Sequence, residues 1–466
     1  MKAKITLLVL FFALCGLSMK AQTQLWGICT QGGVNGQGTI FTANGDGTNF
    51  HKVYDFVNST GAWPLGNMTL ANNGSFYGVT ELGGFGDSCV CYRYDPLTGI
   101  YTNIHDLFQF QSLGYGPVSR MLNANDGKLY GLCPGGGANG KGAIYTIDPG
   151  NDIYTDIFDF SNANGSYPCG SLIQGSNGNL YGFTSHGGIN DMGVIFMFNP
   201  VTNVYTILYD FILSSGGNPT YGCLLEANDG KLYGVNDYGG ANSDGVIYSY
   251  DLSTDLYSNL YNFNFPGSYA PHQSGLIQAS DGKLYGTFLS SDSSNYGFIY
   301  SFDINTNNFA DVYDFNLSDG AYSKRSLKLG SNGKLFGTTM GGGIYNKGVV
   351  YSYDISNSTY TKLTDFDGTN LGMNPDCELN EVPAFMTVGI SSLNSSILKI
   401  FPNPAGDFIN ISNSDKEETI TLTDVLGREL ETLKTNAFSK THVDVSSFPN
   451  VFFVKSSDGV EKVMKR

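Results

Sequence analysis

The sequence has few charged residues, few histidines and no long apolar stretch after its first segment. Asp, Glu, Lys and Arg make up 14% of the 466 residues, whereas a disordered chain is rich in charge and poor in aromatic residues. The chain instead contains 61 glycines, 30 tyrosines and 31 phenylalanines. Abundant glycine together with abundant aromatic residues is typical of many short strands joined by tight turns. We therefore exclude a disordered chain and predict an all-β protein.

Basic residues are also scarce. The chain has 25 Lys and Arg against 41 Asp and Glu, so its net charge is −16. A surface of this charge repels nucleic acid and anionic lipid, and its plain interpretation is solubility. The sequence contains neither a Cys-x-x-Cys pair nor histidines at metal-binding spacing. We therefore predict no nucleic-acid partner, no metal and no other cofactor.

Residues 1–21 have the features of a secretory signal peptide. Lys2 and Lys4 precede an apolar run over 5–17, which is too short to span a bilayer. We expect cleavage between Ala21 and Gln22. Cys15 lies where a lipoprotein cysteine would lie, but Leu14 stands where a small residue is needed, so we do not expect lipidation. No other segment is predicted to cross a membrane.

The body of the sequence is a tandem repeat. The tripeptide Leu-Tyr-Gly, or a near variant, recurs seven times at intervals of 51 to 53 residues. Its glycines are Gly27, Gly78, Gly131, Gly182, Gly234, Gly286 and Gly337. Self-similarity at such a period indicates one structural unit per repeat.

Each repeat has the composition of a four-stranded sheet. Two short apolar segments flank an Asp-Gly or Asn-Gly pair, such as Asp281-Gly282, which predicts a tight mirror-image turn with positive φ at both central residues. A Gly-Gly loop, a third strand ending in Asp or Asn, and a fourth strand ending like Tyr313-Asp314-Phe315 follow. Stacking such sheets around an axis would bury their aromatic residues, so each repeat is predicted to be a propeller blade.

The two ends of the repeat array complement each other. The first repeat begins at Leu25-Trp26-Gly27, which already corresponds to a second strand. Residues 374–382 resemble 167–174, a segment that leads into a first strand. We therefore predict that residues 22–382 form a seven-bladed β-propeller closed by a C-terminal strand, which leaves no bare sheet edge.

The repeat resembles a known family. The Leu-Tyr-Gly, Gly-Gly and Ile-Tyr-Ser-Tyr-Asp patterns over about 25–382 are similar to the GloVer tandem repeat of secreted bacterial proteins. The resemblance implies an exported repeat module and brings no established activity.

The composition changes after the repeats. Residues 383–397 are rich in Ser and Thr and are predicted to be a linker, and 398–466 alternate as in a small Ig-like β-sandwich. Pro402, Asn403 and Pro404, then Gly427 and Arg428, then a basic tail resemble the C-terminal sorting domain of the type IX secretion system of Bacteroidetes. This resemblance implies export across the outer membrane, removal of the domain by a sortase-like peptidase, and surface attachment or release.

Three residues are candidates for catalysis. Glu81, His186 and Asp237 lie in the segments between second and third strands, where the repeats differ from one another. Two carboxyl groups near a channel mouth would suit glycoside cleavage. The alternative is that these are ordinary solvated loop residues. The aspartates that recur at the ends of the fourth strands are predicted to be structural, since a catalytic acid is needed only once.

Two cysteines are candidates for a disulfide. The predicted pairing of the closing strand places Cys29 and Cys377 within about one residue of direct opposition. A disulfide there would stabilise the ring by roughly 2–5 kcal/mol. The alternative is a register in which they point to opposite faces.

Three hypotheses for function follow. The first is an exported, non-enzymatic binding or adhesion module whose partner is a polysaccharide or a surface protein. The second is a secreted carbohydrate-active enzyme, a hydrolase or lyase, that uses the channel mouth. The third is a structural adhesin without a small ligand.

Overall fold

The computed structural model describes most of the repeat region and parts of the C-terminal region. The described residues are 23–84, 89–107, 120–220, 222–264, 275–289, 296–383, 399–401, 408–412, 418–424, 428–435, 440–448, 451–456 and 459–464. Within these ranges the protein is all-β, with two short 3-10 helices at Asn162–Asn164 and Leu213–Ser215. The predicted signal peptide and all of the predicted linker except Pro383 lie outside the described residues.

The described part of 23–383 folds into seven antiparallel sheets. Sheet 1 contains β1 (Thr23–Cys29), β2 (Thr39–Asn44), β3 (His51–Asp55) and β29 (Asn380–Pro383). Sheet 2 contains β4 (Ala62–Leu70), β5 (Phe76–Leu82), β6 (Cys89–Tyr94) and β7 (Tyr101–Leu107). Sheet 3 contains β8 (Leu122–Asn123), β9 (Leu129–Cys133), β10 (Ala143–Asp148) and β11 (Ile153–Asp159). Each of these sheets has one strand from each position of the repeat.

The other four sheets follow the same order. Sheet 4 contains β12 (Ser166–Pro168), β13 (Ile173–Gln174), β14 (Leu180–His186), β15 (Val194–Asn199) and β16 (Val204–Asp210). Sheet 5 contains β17 (Leu225–Glu226), β18 (Lys231–Asn236), β19 (Val246–Asp251) and β20 (Leu256–Asn262). Sheet 6 contains β21 (Ile277–Gln278), β22 (Leu284–Phe288), β23 (Phe298–Asp303) and β24 (Asn308–Asp314). Sheet 7 contains β25 (Lys328–Leu329), β26 (Lys334–Thr339), β27 (Val349–Asp354) and β28 (Thr359–Asp365).

The first sheet is completed by the C-terminal strand, as the sequence predicts. Strand β29 pairs antiparallel with β1, in a register that places Thr23 opposite Pro383 and Trp26 opposite Asn380. The edge of β1 that would otherwise be open is thereby hydrogen bonded.

The hydrophobic cores lie between neighbouring sheets. One buried cluster contains Tyr77 of sheet 2 and Leu129 of sheet 3, and comparable clusters join each later pair up to sheets 6 and 7. A further cluster contains Leu25 of sheet 1, Phe76 of sheet 2 and Phe336 of sheet 7. Because the last sheet packs against the first, the arrangement is β-propeller-like.

The glycine that ends every Leu-Tyr-Gly motif has a steric cause. A Cβ atom on Gly131 or Gly234 would collide with the ring of Tyr145 or Tyr248, a tyrosine of the neighbouring third strand. The tyrosine of the motif serves the turn instead, since Tyr233 Oη donates to Asp229 Oδ2 over 2.8 Å. The motif therefore couples the packing of the third strand to the Asx-Gly turn.

The Asx-Gly turn itself differs from the predicted type. At the turn in sheet 3, Gly127 has φ +84°, but Asp126 is not left-handed. The Gly127 N–H donates to Ala124 O, and the Ala124 N–H donates to Lys128 O. This is a three-residue connection with a left-handed third residue. The prediction of positive φ at both central residues is wrong because the Asp126 carboxylate accepts from Lys128 N–H over 3.0 Å and fixes this shape.

The C-terminal region forms two further antiparallel sheets. One contains β30 (Lys399–Phe401), β31 (Phe408–Ser412) and β34 (Lys440–Asp444). The other contains β32 (Glu418–Asp424), β33 (Glu429–Thr435), β35 (Val451–Ser456) and β36 (Gly459–Met464). Ile409, Leu422 and Val454 pack in a core that the two sheets share. The more specific prediction of an Ig-like sandwich stays a prediction.

Candidate functional site

The antiparallel order gives every sheet of the repeat region two different ends. The loops between second and third strands, and the segments that lead into first strands, lie at one end, which we name the loop end. The Asx-Gly turns and the turns between third and fourth strands lie at the other, which we name the turn end. All three catalytic candidates from the sequence lie at the loop end.

The Gly-Gly loops of the loop end are held by the recurring fourth-strand aspartates. The backbone N–H that follows the glycine pair donates to this carboxylate, from Ile189 to Asp210 over 2.8 Å and from Ile344 to Asp365 over 2.7 Å. In sheet 5 the side-chain oxygen of Asn262 takes the same role. The predicted structural function of these aspartates is therefore what the structure shows.

The loop end exposes most of the large apolar side chains that reach solvent. Of the fourteen such side chains among the described residues, nine lie at this end. These nine are Val34, Ile189, Ile212, Leu213, Tyr238, Leu317, Tyr322, Ile344 and Tyr345. The five at the turn end are aliphatic, so all the exposed aromatic residues of this set lie at the loop end. Such an end offers contact area to a partner.

Seven equivalent residues lie at the loop end in the segments of the first strands, and contacts from sheet to sheet, one of them past sheet 2, place them on the inner side of the ring. Each stands directly before a buried Leu or Met, and we name them the central residues. They are Asn67, Arg120, Ser171, Cys223, Gly275, Ser326 and Glu378. Because the repeats differ in side chain at this position, the central residues give the mouth a chemistry that does not repeat.

An ion pair bridges the central residues. Arg120 Nη1 lies 2.8 Å from Glu378 Oε1, and this contact joins sheets 3 and 1 past sheet 2. The Arg120 backbone N–H also donates to Ser171 Oγ over 3.0 Å, and Asn67 Nδ2 donates to Glu378 Oε2 over 3.4 Å. The Glu378 carboxylate raises the pKa of the Arg120 guanidinium. Sequence reasoning missed this group, although the column of seven residues of six types was visible in the repeat.

A second set of equivalent residues surrounds the mouth. Trp63, Tyr167, Asn218, Tyr322 and Asn374 stand four or five residues before a central residue, and all five have φ between +47° and +64°. Each donates its backbone N–H, over 2.8 to 2.9 Å, to a carbonyl in the Gly-Gly loop region of the preceding sheet. We name these five the seam residues, because they fasten sheets 1, 2, 4, 5 and 7 to the sheet that precedes each of them.

The three sequence candidates lie on different sheets with separate partners. Glu81 is in β5 of sheet 2, and partial burial raises its pKa. His186 ends β14 of sheet 4, is exposed, and its Nδ1 lies 2.9 Å from Ser185 Oγ. Asp237 follows β18 of sheet 5, is buried, and accepts a hydrogen bond from Thr220 Oγ1. The three residues therefore lie on sheets 2, 4 and 5, each in its own surroundings, rather than in one acid–base group.

Cys29 and Cys377 are buried, free thiols in one hydrophobic cluster. Continuing the register of β1 and β29 past Trp26 and Asn380 places Cys29 opposite Cys377. The Ile28 backbone N–H donates to Cys377 Sγ over 3.3 Å, so this thiol lies beside the residue that precedes Cys29. Burial raises the pKa of both thiols, for Cys377 to about 12. The disulfide between them stays a prediction.

Of the sorting motif, the structure describes Arg428. Its backbone N–H donates to Asp424 Oδ1 over 2.9 Å, and its Nε lies 2.5 Å from Asp424 Oδ2. Pro402, Asn403, Pro404 and Gly427 lie outside the described residues. Across the described part of the chain, we find no cluster of three or more side chains arranged to hold a metal ion, and no helix with the length and apolar character to cross a membrane.

Comparison with known families identifies the repeat. The model of the Gloeobacter/Verrucomicrobia repeat matches residues 19–226, 71–278 and 213–383. The chain belongs to this repeat family. A second family model, the secretion system C-terminal sorting domain, matches residues 399–466. The protein is therefore a secreted or cell-surface cargo of the type IX secretion system, and its C-terminal domain interacts with that machinery.

Two solved structures with TM-scores above 0.5 share the fold at low sequence identity. A protein named as a 6-phosphogluconolactonase of Bacteroides fragilis has a TM-score of 0.54 and 13% identity, over 78% of this chain and 99% of that one. Its counterpart from Bacteroides uniformis has a TM-score of 0.52, 14% identity and the same coverage. PorZ, a surface component of the type IX secretion system of Porphyromonas gingivalis, has a TM-score of 0.44 and 14% identity, over 92% of this chain and 63% of PorZ. No curated protein matches the chain.

Proposed function

We propose that residues 22–382 form a seven-bladed β-propeller that serves as a non-enzymatic binding module at the cell surface. The loop end is its binding face. The observation that carries this proposal is the contrast between constant backbone and variable side chains at that end. The Gly-Gly loops and seam residues repeat in conformation, while the central residues and the exposed apolar residues change from sheet to sheet.

The charges at the mouth support binding over catalysis. Arg120 pairs with Glu378, and Asp237 accepts a hydrogen bond from Thr220 on the same sheet, so the two carboxylates have separate partners. Glycoside cleavage needs two carboxyl groups held on either side of the scissile bond. The exposed tyrosines and aliphatic residues at this end instead provide contact area for a bound partner.

One observation favours the alternative of a carbohydrate-active enzyme. The raised pKa of Glu81, caused by burial, is a property of general acids in glycosidases. A hydrolase or lyase that uses Glu81 is therefore the second candidate function, and replacement of Glu81 separates the two.

Export frames this function. Residues 1–21 would be removed as a signal peptide, and a sortase-like peptidase would remove the domain at 398–466 once the chain has crossed the outer membrane. Surface attachment or release would follow. Deletion of 398–466 is expected to retain the protein inside the cell envelope, and a deletion variant that still reaches the surface would contradict this route.

The binding function is tested with the full exported chain and a panel of polysaccharides and surface proteins. The double variant replaces Ile189 and Ile344 with Asp. Both side chains are exposed, and each residue is tied to its loop through its backbone N–H. We expect binding of the partner to fall at least tenfold in this double variant and to be unchanged in Val201→Asp, a control at the turn end that is 89% exposed. Appearance of cleavage products that Glu81→Gln abolishes would favour the enzyme instead.

A further inference from the structure

The seam residues contain an unexplained choice of side chain. Asn218 and Asn374 suit the left-handed backbone, since Asn is one of the residues enriched there. Trp63, Tyr167 and Tyr322 occupy the same position in sheets 2, 4 and 7 with φ of +54°, +54° and +64°. Bulky residues are true outliers in this region, and such strain clusters at functional sites.

The backbone role does not require an aromatic ring. The N–H of Asn218 donates to Met192 O over 2.8 Å, and the N–H of Tyr322 donates to Tyr296 O over the same distance. Asn and Tyr therefore make the same backbone contact at this position. Aromatic residues at these strained positions are explained if their side-chain rings have a functional role that the backbone contact does not require.

The rings reach solvent at the rim of the mouth. Tyr322 is 40% exposed, and Trp63 and Tyr167 are partly exposed. Polar groups accompany them. Lys141 Nζ lies 5.4 Å from the centre of the Tyr167 ring, and the exposed His186 ring meets Tyr167 edge-on with ring centres 5.5 Å apart. A flat apolar surface thus stands beside hydrogen-bonding groups.

A pyranose matches this combination. Its C–H bonds form an apolar face that stacks on aromatic rings, and its hydroxyl groups need donors and acceptors at the rim. Arg120 and Glu378 offer both kinds of group nearer the axis. The net charge of −16 disfavours polyanionic glycans. Because the three rings lie on sheets 2, 4 and 7, they suit a polymer that contacts several points of the rim.

We infer that Trp63, Tyr167 and Tyr322 are stacking platforms for a neutral polysaccharide at the loop end. This inference rests on the binding function proposed above and names its ligand class. Replacement by Asn is therefore an informative test. It removes the aromatic ring, and Asn also suits the left-handed backbone at this position.

The test replaces each platform with Asn in the full exported chain. Binding to laminarin, mannan and hydroxyethylcellulose is measured by affinity electrophoresis and calorimetry, with alginate as the polyanionic comparison. We expect the wild type to bind at least one neutral glycan. Each single variant should lose affinity severalfold and the triple variant at least tenfold, while the unfolding temperature stays the same or rises. Tyr167→Phe and Tyr322→Phe keep a ring and should keep binding.

Val201→Asn is the control, since Val201 lies at the turn end, away from the proposed binding face, and is 89% exposed. It should leave glycan affinity unchanged. Lower unfolding temperatures in the Asn variants with unchanged glycan affinity would show that the rings are structural and would overturn the inference. A wild type that binds a protein through the loop end but none of the neutral glycans would also overturn it, while leaving the proposed binding function in place.

Discussion

The turn end and the loop end of the sheets both repeat the same backbone from sheet to sheet, but they differ in whether the side chains repeat as well. At the turn end, an Asp or Asn side chain accepts its own turn's N–H, as Asp126 does from Lys128, and both side chain and backbone recur. At the loop end, the backbone recurs through Asp210-type anchors and left-handed seam residues, but the outward side chains change. Constant backbone with variable side chains is how a rigid scaffold presents a specific surface.

The largest effect on the free energy of unfolding should come from breaking the buried ion pair that supports the loop end. Arg325 and Asp376 join sheets 7 and 1 through two contacts of 2.7 and 3.0 Å, and both are more than 90% buried. Arg325→Met would leave a buried carboxylate without this partner, so we expect a loss of about 3–5 kcal/mol in the free energy of unfolding.

The control for this variant is Arg120→Met. The Arg120 side chain is 30% exposed in its pair with Glu378, so its loss should cost about 1 kcal/mol or less. Urea unfolding followed by circular dichroism measures both. Equal losses in the two variants would contradict the division between scaffold and surface at the loop end.

The closing strands give the next largest effect. If Cys29 and Cys377 form a disulfide after export, Cys377→Ser should lower the free energy of unfolding by about 2–5 kcal/mol relative to the oxidised protein. Non-reducing peptide mapping by mass spectrometry should find the two joined. Cys133, buried between sheets 2 and 3, is the control thiol, and recovery of Cys29 and Cys377 as free thiols would end this prediction.

Replacing the glycine of the repeat motif tests whether its close contact with the third-strand tyrosine stabilises the sheet between its two ends. Gly234→Ala places a methyl group against the Tyr248 ring, which should cost about 1–3 kcal/mol. Gly230→Ala is the comparison, because a Cβ there meets open space and only the left-handed φ of +79° resists it. Thermal unfolding compares the two, and Gly234→Ala without any effect would contradict the steric explanation of the motif.

Acid should weaken the scaffold before it changes the surface. Burial acts to raise the pKa of Asp376, but Arg325 and Lys324 outweigh it and hold the pKa below its ordinary value. A carboxyl group with a lowered folded-state pKa stabilises above its unfolded-state pKa of about 4, and this stabilisation is lost as pH falls through the folded-state value. The urea concentration at the unfolding midpoint should therefore decrease when the pH is lowered below about 4, and it should decrease less in Asp376→Asn. An equal fall in both proteins would assign the acid sensitivity to other carboxylates.

The sequence predicted the elements that every repeat encodes by itself. The strand order and the closing strand follow from local patterns that recur, and the shared Asp-type anchors do too. The turn type was missed because Asp126 can satisfy Lys128 N–H without a left-handed conformation of its own.

The candidate site was harder to predict. Arg120 and Glu378 are 258 residues apart and meet through closure of the ring, which no local pattern reveals. The left-handed seam residues were hidden as well, since Trp63 and Tyr167 precede prolines, and residues before proline usually favour extended backbone. The available signal was an aligned column, mostly followed by proline, that holds Trp or Tyr in three repeats and Asn in two.

Tryptophan fluorescence tests the binding face most directly. The chain has two tryptophans, of which Trp26 is 2% exposed in the core and Trp63 is a seam residue at the mouth. Titration of the full chain with the neutral glycan that it binds should shift the emission of Trp63, and the shift should vanish in Trp63→Asn. Binding that leaves the wild-type emission unchanged, or an unchanged shift in Trp63→Asn, would contradict the assignment of the loop end as the binding face.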